Sequence, residues 1–403
     1  MERNTYDVII AGGGPAGSSA AIHLAGSGAR VLLVEQKKFP RPKLCGEFIS
    51  PECAQHFERL GVTDQMCDAH PAALSSTVFY SRRGKNVRVP SSWFGASGIA
   101  LGLSRAEMDE RLLRRAAGAG ACILEGTQAT NLIIEDHTVR GIVVKEGSRE
   151  TIYGALVTLD ATGRARGLTR RLLPNGKPAR RERAPMVAFK AHLEETRIEA
   201  GACEIYFYRG GYGGLSSIEN GLSNLCFIAS ARDVRDCGAN ADRVMRAVVC
   251  QNQRADFTLA QAKLNAPWLA VSLEGFGRSS VAPIKGLLAI GDAASFIDPF
   301  TGSGMLMALE SGALAADAIT GFLNHATHQR DLARLRAGYA DRYKRVFNSR
   351  LRLSSLLRRA AFVPGLAESA IAFFGASNYA RRRLAQATRG SRAETYSASA
   401  RVK

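Results

Sequence analysis

The sequence lacks the features of exported and membrane-spanning proteins. Its opening has no basic stretch followed by an apolar segment and a cleavage site. Nowhere do about 18 apolar residues follow one another without charges, the length that a membrane helix needs. We therefore expect neither a signal peptide nor a transmembrane helix, and predict a cytoplasmic protein.

Cysteine pairs are absent as well. There is no Cys-x-x-Cys and no cysteine–histidine cluster, so neither a metal site nor a disulfide framework is predicted. We expect reduced thiols that mostly fill the core. The eight cysteines stand at positions 45, 53, 67, 122, 203, 226, 237 and 250.

Acidic residues are scarce: 36 stand against 54 basic residues, a formal net charge of +18. Such a surface suits nucleic acid or an anionic membrane. The sequence has no helix-turn-helix, zinc-finger or RNA-binding signature, so nucleic acid is not a predicted partner. Arginines interleave with leucine and phenylalanine between 351 and 384, which is typical of a basic amphipathic helix at a membrane surface. The same pattern suits an ordinary helical cap with its apolar stripe packed inward and its arginines solvated, and this is the favoured interpretation.

The most informative stretch spans residues 6–35, which predicts a strand, a glycine-rich turn, a helix and a second strand. Gly12, Gly14 and Gly17 fit G-x-G-x-x-G. The first glycine permits a tight turn, the second lets the backbone approach a pyrophosphate, and the third lets the helix pack on the strand. Glu35 ends the second strand, where an acid can hold a ribose hydroxyl. This context predicts a dinucleotide site, with FAD and NAD both open.

A second informative stretch follows the buried strand 287–290. Gly291-Asp292 puts a carboxylate at the carboxyl edge of a parallel sheet, where it suits a polyol such as ribityl. The turn 301–304 then presents backbone amides at a helix N-terminus, which would stabilise a reduced, anionic flavin. A tight turn with a solvated aspartate is the alternative.

The predicted fold class is α/β, with a Rossmann-like dinucleotide-binding domain, an antiparallel β-sheet domain and a C-terminal helical region. Continuous apolar strands favour a parallel sheet in the first domain, whereas two-sided strands between glycine-rich turns favour an antiparallel sheet in the second. The predicted limits are 1–75, 101–170 and 280–325 for the discontinuous dinucleotide-binding domain, which the resemblance below makes the FAD-binding domain, 76–100 and 171–279 for the second, substrate domain, and 326–403 for the basic helical region.

Together the two stretches resemble the FAD-dependent oxidoreductases of the para-hydroxybenzoate-hydroxylase-like fold. Within that group, Pro40-Arg-Pro-Lys-Leu-Cys-Gly46 and Asp298-Pro-Phe-Thr-Gly302 are similar to the geranylgeranyl reductase family. The resemblance covers residues 1 to about 325 and implies FAD as cofactor. It implies pyrophosphate contacts near the glycine turn, the adenosine ribose on Glu35, an arginine by the phosphates, ribityl on Asp292 and the flavin ring on the turn near 303. The predicted cofactor-binding residues are Gly12, Gly14, Pro15, Ala16, Gly17, Glu35, Arg105, Gly291, Asp292, Pro299, Gly302, Ser303 and Gly304.

The loop of Cys45 is the predicted catalytic segment. In the reductase family a cysteine in this loop lies close to the flavin, and Cys45-Gly46 matches it, whereas Glu47 stands where the family often has a second glycine. Cys45 is predicted to position substrate or to donate a proton to a carbanionic carbon. Glu47 is an alternative acid or base. Tyr206 and Tyr212, in the sheet that covers the substrate side of the flavin, are predicted substrate contacts, or else belong to an ordinary hairpin.

The predicted reaction is hydride transfer to or from a carbon–carbon double bond of a hydrophobic molecule, such as a prenyl, lipid or polyketide-like compound. The alternatives are an FAD-dependent monooxygenase, a flavin halogenase and a non-catalytic dinucleotide-binding or membrane-docking protein. The halogenases carry a Trp-x-Trp signature, whereas Trp93 and Trp268 stand far apart here. No second dinucleotide fingerprint occurs, so transient NAD(P)H or a carrier protein is the expected electron donor.

Overall fold

The computed structural model describes residues 5–172, 186–273, 277–297, 302–361 and 365–388. Pro299 lies outside these ranges. The strands are β1 (Thr5–Ala11), β2 (Val31–Glu35), β3 (Phe48–Ile49), β4 (Ala72–Leu74), β5 (Ser76–Tyr80), β6 (Asn86–Pro90), β7 (Ala100–Gly102), β8 (Cys122–Glu125), β9 (Gln128–Glu135), β10 (Thr138–Glu146), β11 (Arg149–Asp160), β12 (Met186–Glu194), β13 (Ala202–Tyr208), β14 (Gly211–Ser217), β15 (Ser223–Ser230), β16 (Lys263–Leu264), β17 (Leu269–Leu273), β18 (Gly277–Arg278), β19 (Leu287–Ala289) and β20 (Ser295–Phe296). The helices are α1 (Pro15–Gly26), α2 (Cys53–Leu60), α3 (Thr63–Asp68), α4 (Arg105–Gly118), α5 (Ala231–Asp236), α6 (Ala241–Val248), α7 (Gln253–Leu259), α8 (Gly304–Leu323), α9 (Leu332–Ala361), α10 (Leu366–Ala376) and α11 (Asn378–Ala387).

The first sheet has the order β8-β2-β1-β11-β10-β9, with β19 paired to β11. The pairs of β1 with β2 and β11, of β2 with β8 and of β11 with β19 are parallel. Parallel strands of this kind are apolar throughout because both faces are covered. The registers place Ala11 beside Val34 and Asp160, and Asp160 beside Ala289. The chain segments that follow these strands therefore leave one edge of the sheet together.

Helix α8 lies in the core of this half. It has the length and apolar character of a membrane-spanning helix, with 20 residues and a mean hydropathy of 1.3, but 72% of that segment is buried inside the protein. Gly312 lets α8 cross α1 closely, since a β-carbon there would lie 2.4 Å from the carbonyl oxygen of Ala16. The burial identifies α8 as a core helix.

The second sheet has the order β16-β12-β15-β14-β13-β5-β6, with β17 paired to β12. Its pairs are antiparallel except β5 with β13, which run parallel. Residues of α6 and α7 pack on one face and form a second apolar core with it. The other face is turned toward a cavity, and the alternation of side chains along each strand decides which residues reach it.

The C-terminal helices pack against both halves of the protein, α9 against α8 of the first half and α10 against β6 of the second sheet. Helix α9 buries Leu335, Tyr339, Tyr343 and Phe347 in the first core, at the four-residue spacing of one helix face. The hydroxyl of Tyr339 donates a hydrogen bond to the carbonyl of Ala289 at 2.7 Å. This face of α9 packs inward, while the choice between a helical cap and a membrane-binding helix for residues 351–384 stays a prediction. The predicted domain limits remain a prediction.

Helix α2 contains a histidine that makes stability depend on pH. Burial lowers the pKa of His56 from 6.5 to about 4, and the nearby Arg59, His23 and Arg350 add to this. The unfolded chain therefore binds a proton that the folded protein does not, so stability falls as pH drops from 6.5 to 4. We expect a loss of about 3 kcal/mol over this window, measured by urea unfolding. His56→Gln should reduce the slope, whereas His137→Gln, at an exposed turn, should keep it; equal slopes would contradict the assignment.

Candidate functional site

The glycine turn after β1 has the geometry that the motif predicts. Gly12 has φ +111°, and a β-carbon there would lie 2.3 Å from the carbonyl oxygen of Ala161. A β-carbon at Gly17 would lie 1.9 Å from the carbonyl oxygen of Gly12, so Gly17 fixes α1 against the turn from behind. Gly14 instead faces open space, with the guanidinium groups of Arg105 and Arg41 at 3.7 and 3.9 Å from a β-carbon built there. The turn thus offers its backbone to a ligand at Gly14.

Glu35 lies at the same edge. Its Oε2 accepts the backbone N–H of Gly13 at 2.8 Å, and its Oε1 accepts that of Lys37 at 3.0 Å. The guanidinium Nε of Arg41 is 3.8 Å from Oε1. These contacts orient a buried carboxylate beside the glycine turn, as a ribose-binding acid requires.

Two arginines share one buried carboxylate next to Gly14. Arg105 donates from Nε and Nη2 to the two oxygens of Asp109, each at 2.7 Å, and Nη1 of Arg41 lies 3.2 Å from Asp109. Arg41 also lies near Glu35, yet its Nη1 is buried and forms no hydrogen bond with the described residues, so it remains available to donate to a ligand at the turn. A diphosphate is the natural counter-ion for such a pair.

Asp292 follows β19 at the same edge of the first sheet. A β-carbon at Gly291 would lie 2.9 Å from Cβ of Ala16, so the loop after β19 contacts the first turn of α1. Burial raises the pKa of the Asp292 carboxyl, while the charges of Arg105, Arg164 and Lys43 oppose the rise. The two predicted motifs therefore meet in space.

The start of α8 borders the same cavity. Gly302 has φ +61°, and a β-carbon there would lie 3.1 Å from the ring of Phe48, so the turn leaves no room for a side chain. Gly304 is the first residue of α8 and lines the cavity. Ser303 is fully buried between them, and its carbonyl accepts the N–H of Met307 at 2.9 Å. Positive helix-end charge thus faces the cavity.

One cavity of about 660 Å³ connects these groups. FAD fits the residues present: the open backbone at Gly14 and the paired arginines would hold its diphosphate, Glu35 a ribose and Asp292 the ribityl chain. When bound there, FAD supplies two-electron redox chemistry. The predicted site residues that line the cavity are Gly12, Gly14, Pro15, Ala16, Glu35, Cys45, Glu47, Arg105, Tyr212, Gly291, Asp292, Gly302 and Gly304.

The loop before β3 brings Cys45 and Glu47 to the cavity wall. Sγ of Cys45 accepts the backbone N–H of Glu47 at 3.5 Å, and the catalytic assignment of Cys45 stays a prediction. Glu47 is fully buried and has φ +53°, a left-handed conformation that only glycine adopts without strain. The loop therefore holds its carboxylate against an intrinsic backbone cost.

Glu47 is held by an ion pair and two hydrogen bonds. It pairs with Nζ of Lys190, lies 2.7 Å from Nε2 of His192 and accepts the backbone N–H of Arg105 at 2.8 Å. Burial alone would raise the pKa of Glu47, but the hydrogen bond from His192 and the charge of Lys190 lower it. A carboxyl held in its ionised form is a poor proton donor, so its surroundings favour a positioning function over the predicted acid.

Lys190 and His192 were missed by the sequence analysis. They stand two residues apart on β12, on the face turned toward the cavity side, in a strand whose other face is apolar. A lysine in the middle of an apolar strand was the available signal, because a buried lysine requires a counter-charge. The sequence could not show which carboxylate supplies it.

The two predicted substrate tyrosines lie on opposite faces of the second sheet. In the hairpin of β13 and β14, Phe207 is opposite Tyr212, and both line the cavity. Tyr206 therefore points the other way: it is buried in the second core, and its hydroxyl donates to Glu204 at 2.7 Å. The prediction that Tyr206 contacts substrate is wrong, whereas Tyr212 is in place for it.

The cavity continues over the second sheet into an apolar compartment. Helices α10 and α11 cover it, and Ile371, Phe374 and Leu384 contribute to its wall. The apolar side chains from the sheet are Phe79, Val87, Val89, Ile205, Phe207 and Ile228. Exposed Phe373 and Tyr379 lie on the same two helices; contact of this region with an anionic membrane stays a prediction.

Comparison with known proteins agrees with this site. Residues 5–334 match the model of the FAD binding domain family. The chain is 30% identical over 381 residues to the menaquinone reductase of Mycobacterium tuberculosis, covering 90% of this chain and 86% of the relative. It is 28% identical to the digeranylgeranylglycerophospholipid reductase of Methanosarcina mazei, covering 78% of this chain and 75% of the relative.

Two solved structures share the fold. A flavin-dependent brominase superposes with a TM-score of 0.79 at 20% identity, covering 96% of this chain and 94% of the other. A geranylgeranyl bacteriochlorophyll reductase-like protein from Thermoplasma acidophilum gives 0.78 at 19% identity, with coverages of 96% and 97%. At these identities the likeness shows the fold alone. From the family match, the related reductases and the site geometry, the chain belongs to the FAD binding domain family and is an FAD-dependent oxidoreductase, related to reductases of the geranylgeranyl type.

Proposed function

We propose that this protein reduces a carbon–carbon double bond in a long apolar molecule of the prenyl type, with FAD as hydride carrier. The observation that carries the proposal is the apolar compartment over the second sheet, which is continuous with the cofactor segment of the cavity. Its walls are mostly aromatic and aliphatic, with Arg381 of α11 also on the lining, and such walls bury an apolar chain.

The sequence relatives support the same chemistry. Both are reductases, one named for menaquinone and the other for a digeranylgeranylglycerophospholipid. The brominase shares the fold at 20% identity and so does not favour halogenation. We propose transient NAD(P)H as the electron donor, since the sequence has one dinucleotide fingerprint and that one is assigned to FAD.

The proposal is tested with protein reconstituted with FAD, photoreduced under argon with EDTA as the electron donor and mixed with a C20 prenyl alcohol, geranylgeraniol. We expect the flavin to reoxidise and the product to gain two hydrogen atoms, measured by mass spectrometry. Reduction by NADPH and by NADH is followed separately by the loss of flavin absorbance. Oxygen incorporation in air without hydrogenation under argon would instead establish the monooxygenase.

Substitutions at Gly214 test whether the apolar chain of the substrate lies over β14. It stands between Tyr212 and Ser216 on the cavity face of β14, and a β-carbon there would meet Cδ1 of Ile205 at 3.1 Å, a flexible methyl group. Larger side chains would fill the space over the strand without displacing backbone. We expect Gly214→Leu to weaken binding of geranylgeraniol at least about 10-fold, which corresponds to a loss of about 1.4 kcal/mol in binding free energy.

The series Gly214→Ala, Val and Leu provides the control. Affinity should fall as side-chain volume rises, while the flavin spectrum and the melting temperature stay close to wild type. Unchanged binding by the leucine variant would place the chain elsewhere.

A further inference from the structure

Ser216 is a buried hydroxyl without a partner on the cavity wall. It is 1% exposed, lines the cavity, and its Oγ forms no hydrogen bond with any atom in the described part of the chain. Leaving such a group unsatisfied destabilises the folded protein. Buried polar atoms in folded proteins are nearly always bonded, so this hydroxyl is suited to a ligand.

A second unpartnered atom lies beside it. Asn224 is directly opposite Ser216 in the register of β14 and β15, and it is 1% exposed. Its Nδ2 donates to the carbonyl of Cys45 at 3.1 Å, while Oδ1 is buried and forms no hydrogen bond with the described residues. The pair offers one hydroxyl donor and one amide acceptor, next to the loop of Cys45.

The two basic side chains on the adjacent strand β12 are already engaged by a carboxylate. His192 is opposite Asn224 and Lys190 is opposite Cys226 on the adjacent strand, and both contact the carboxylate of Glu47. No unpaired cation of this cluster is left for an anionic group. A neutral hydroxyl, which donates to Oδ1 and accepts from Oγ, matches the two open positions.

The other end of the same strand face is apolar. From Ser216 the cavity side of β14 continues through Gly214 to Tyr212, a distance of about 13 Å at the usual rise of a strand. Phe207 and Ile228 flank Tyr212. A molecule along this face meets polar groups first and apolar groups afterwards.

We propose that Ser216 and Asn224 bind the neutral oxygen-bearing head of the substrate, an alcohol or phenol hydroxyl, and so orient its apolar chain over Gly214 toward α10. The proposal rests on the proposed function for the kind of chain. It adds the head group, the direction of the chain and the two residues that fix it.

Binding to oxidised, FAD-loaded protein tests the proposal without turnover. The probes are geranylgeraniol, its diphosphate ester and the C20 hydrocarbon phytane, each titrated by calorimetry. Ser216→Ala should raise the Kd of geranylgeraniol about 5–10-fold, as the loss of one hydrogen bond implies, and leave that of phytane unchanged. Ser217→Ala, on the opposite face of the same strand, should match wild type for all three.

Two results would overturn the proposal: equal loss of affinity for the alcohol and the hydrocarbon in Ser216→Ala, or tighter binding of the diphosphate than of the alcohol. Failure of the proposed function has a different signature. In that case the alcohol preference depends on Ser216, but reduced enzyme leaves the double bonds unchanged.

Discussion

Gly17→Ala is expected to yield protein that lacks FAD and unfolds far more easily than wild type. The new methyl group would lie 1.9 Å from the carbonyl oxygen of Gly12 and 3.2 Å from Cβ of Ala161. Because the obstacle is backbone of the turn itself, relief requires α1 to move away from β1. We expect a cost of about 3 kcal/mol or more and loss of the diphosphate site.

The measurements are the ratio of flavin to protein absorbance after purification, and urea unfolding of the FAD-free proteins. Gly118→Ala is the matched control, since it lies at the exposed end of α4 with no atom within 4 Å of a new β-carbon. That variant should equal wild type or gain up to about 1 kcal/mol. A Gly17→Ala protein with full FAD occupancy would show that the turn can relax, and the steric assignment would be wrong.

Lys190→Met is expected to be the second most damaging change. The ammonium is 3% exposed and pairs with the fully buried carboxylate of Glu47. Removing one member of a buried ion pair costs about 3–5 kcal/mol, because the other charge stays in the protein interior. Glu47→Gln should cost a similar amount, since it strands the lysine instead.

A double-mutant cycle separates the pair from simple packing losses. The double variant Glu47→Gln/Lys190→Met should be more stable than the sum of the two single changes predicts, because no unpaired charge remains. Lys263→Met is the control: its ion pair with Glu195 has the same charges but is exposed to solvent, so we expect stability close to that of wild type. Strict additivity of the two buried changes would contradict the ion pair.

The dependence of stability on acid pH is an independent test of the contacts of Glu47 with Lys190 and His192. The pKa of Glu47 in the folded protein lies below its ordinary value of 4.5. The stability that its ionised form contributes is therefore present above pH 4.5 and is lost as pH falls through the lower folded value. Glu47→Gln should remove this part of the acid dependence, in a pH range below that of His56.

Local patterns were sufficient for the glycine turn of the cofactor site. The strand, turn and helix around Gly12 are contiguous in sequence, so the spacing of three glycines already implies their packing. The meeting of Gly291 with Ala16 spans most of the chain, and there the resemblance to a family supplied what local patterns could not. Pro299 lies outside the described residues, so its predicted contact stays a prediction.

The substrate half depended on pairings that sequence does not display. Whether Tyr206 or Tyr212 faces the cavity depends on the register of one hairpin, which shifts a side chain to the other face with each residue. Lys190 is part of the site because it pairs with Glu47, which stands 143 residues earlier in the sequence. Both are long-range facts, and periodicity along a single strand cannot determine them.

The left-handed backbone at Glu47 links two positions in evolution. Glutamate and glycine codons differ by a single base, and glycine would relax the loop at once because it tolerates φ +53°. That exchange would nevertheless leave the ammonium of Lys190 without its counter-charge in the interior. A lineage that acquires glycine at 47 therefore needs a neutral residue at 190, and we expect the residues at these two positions to change together.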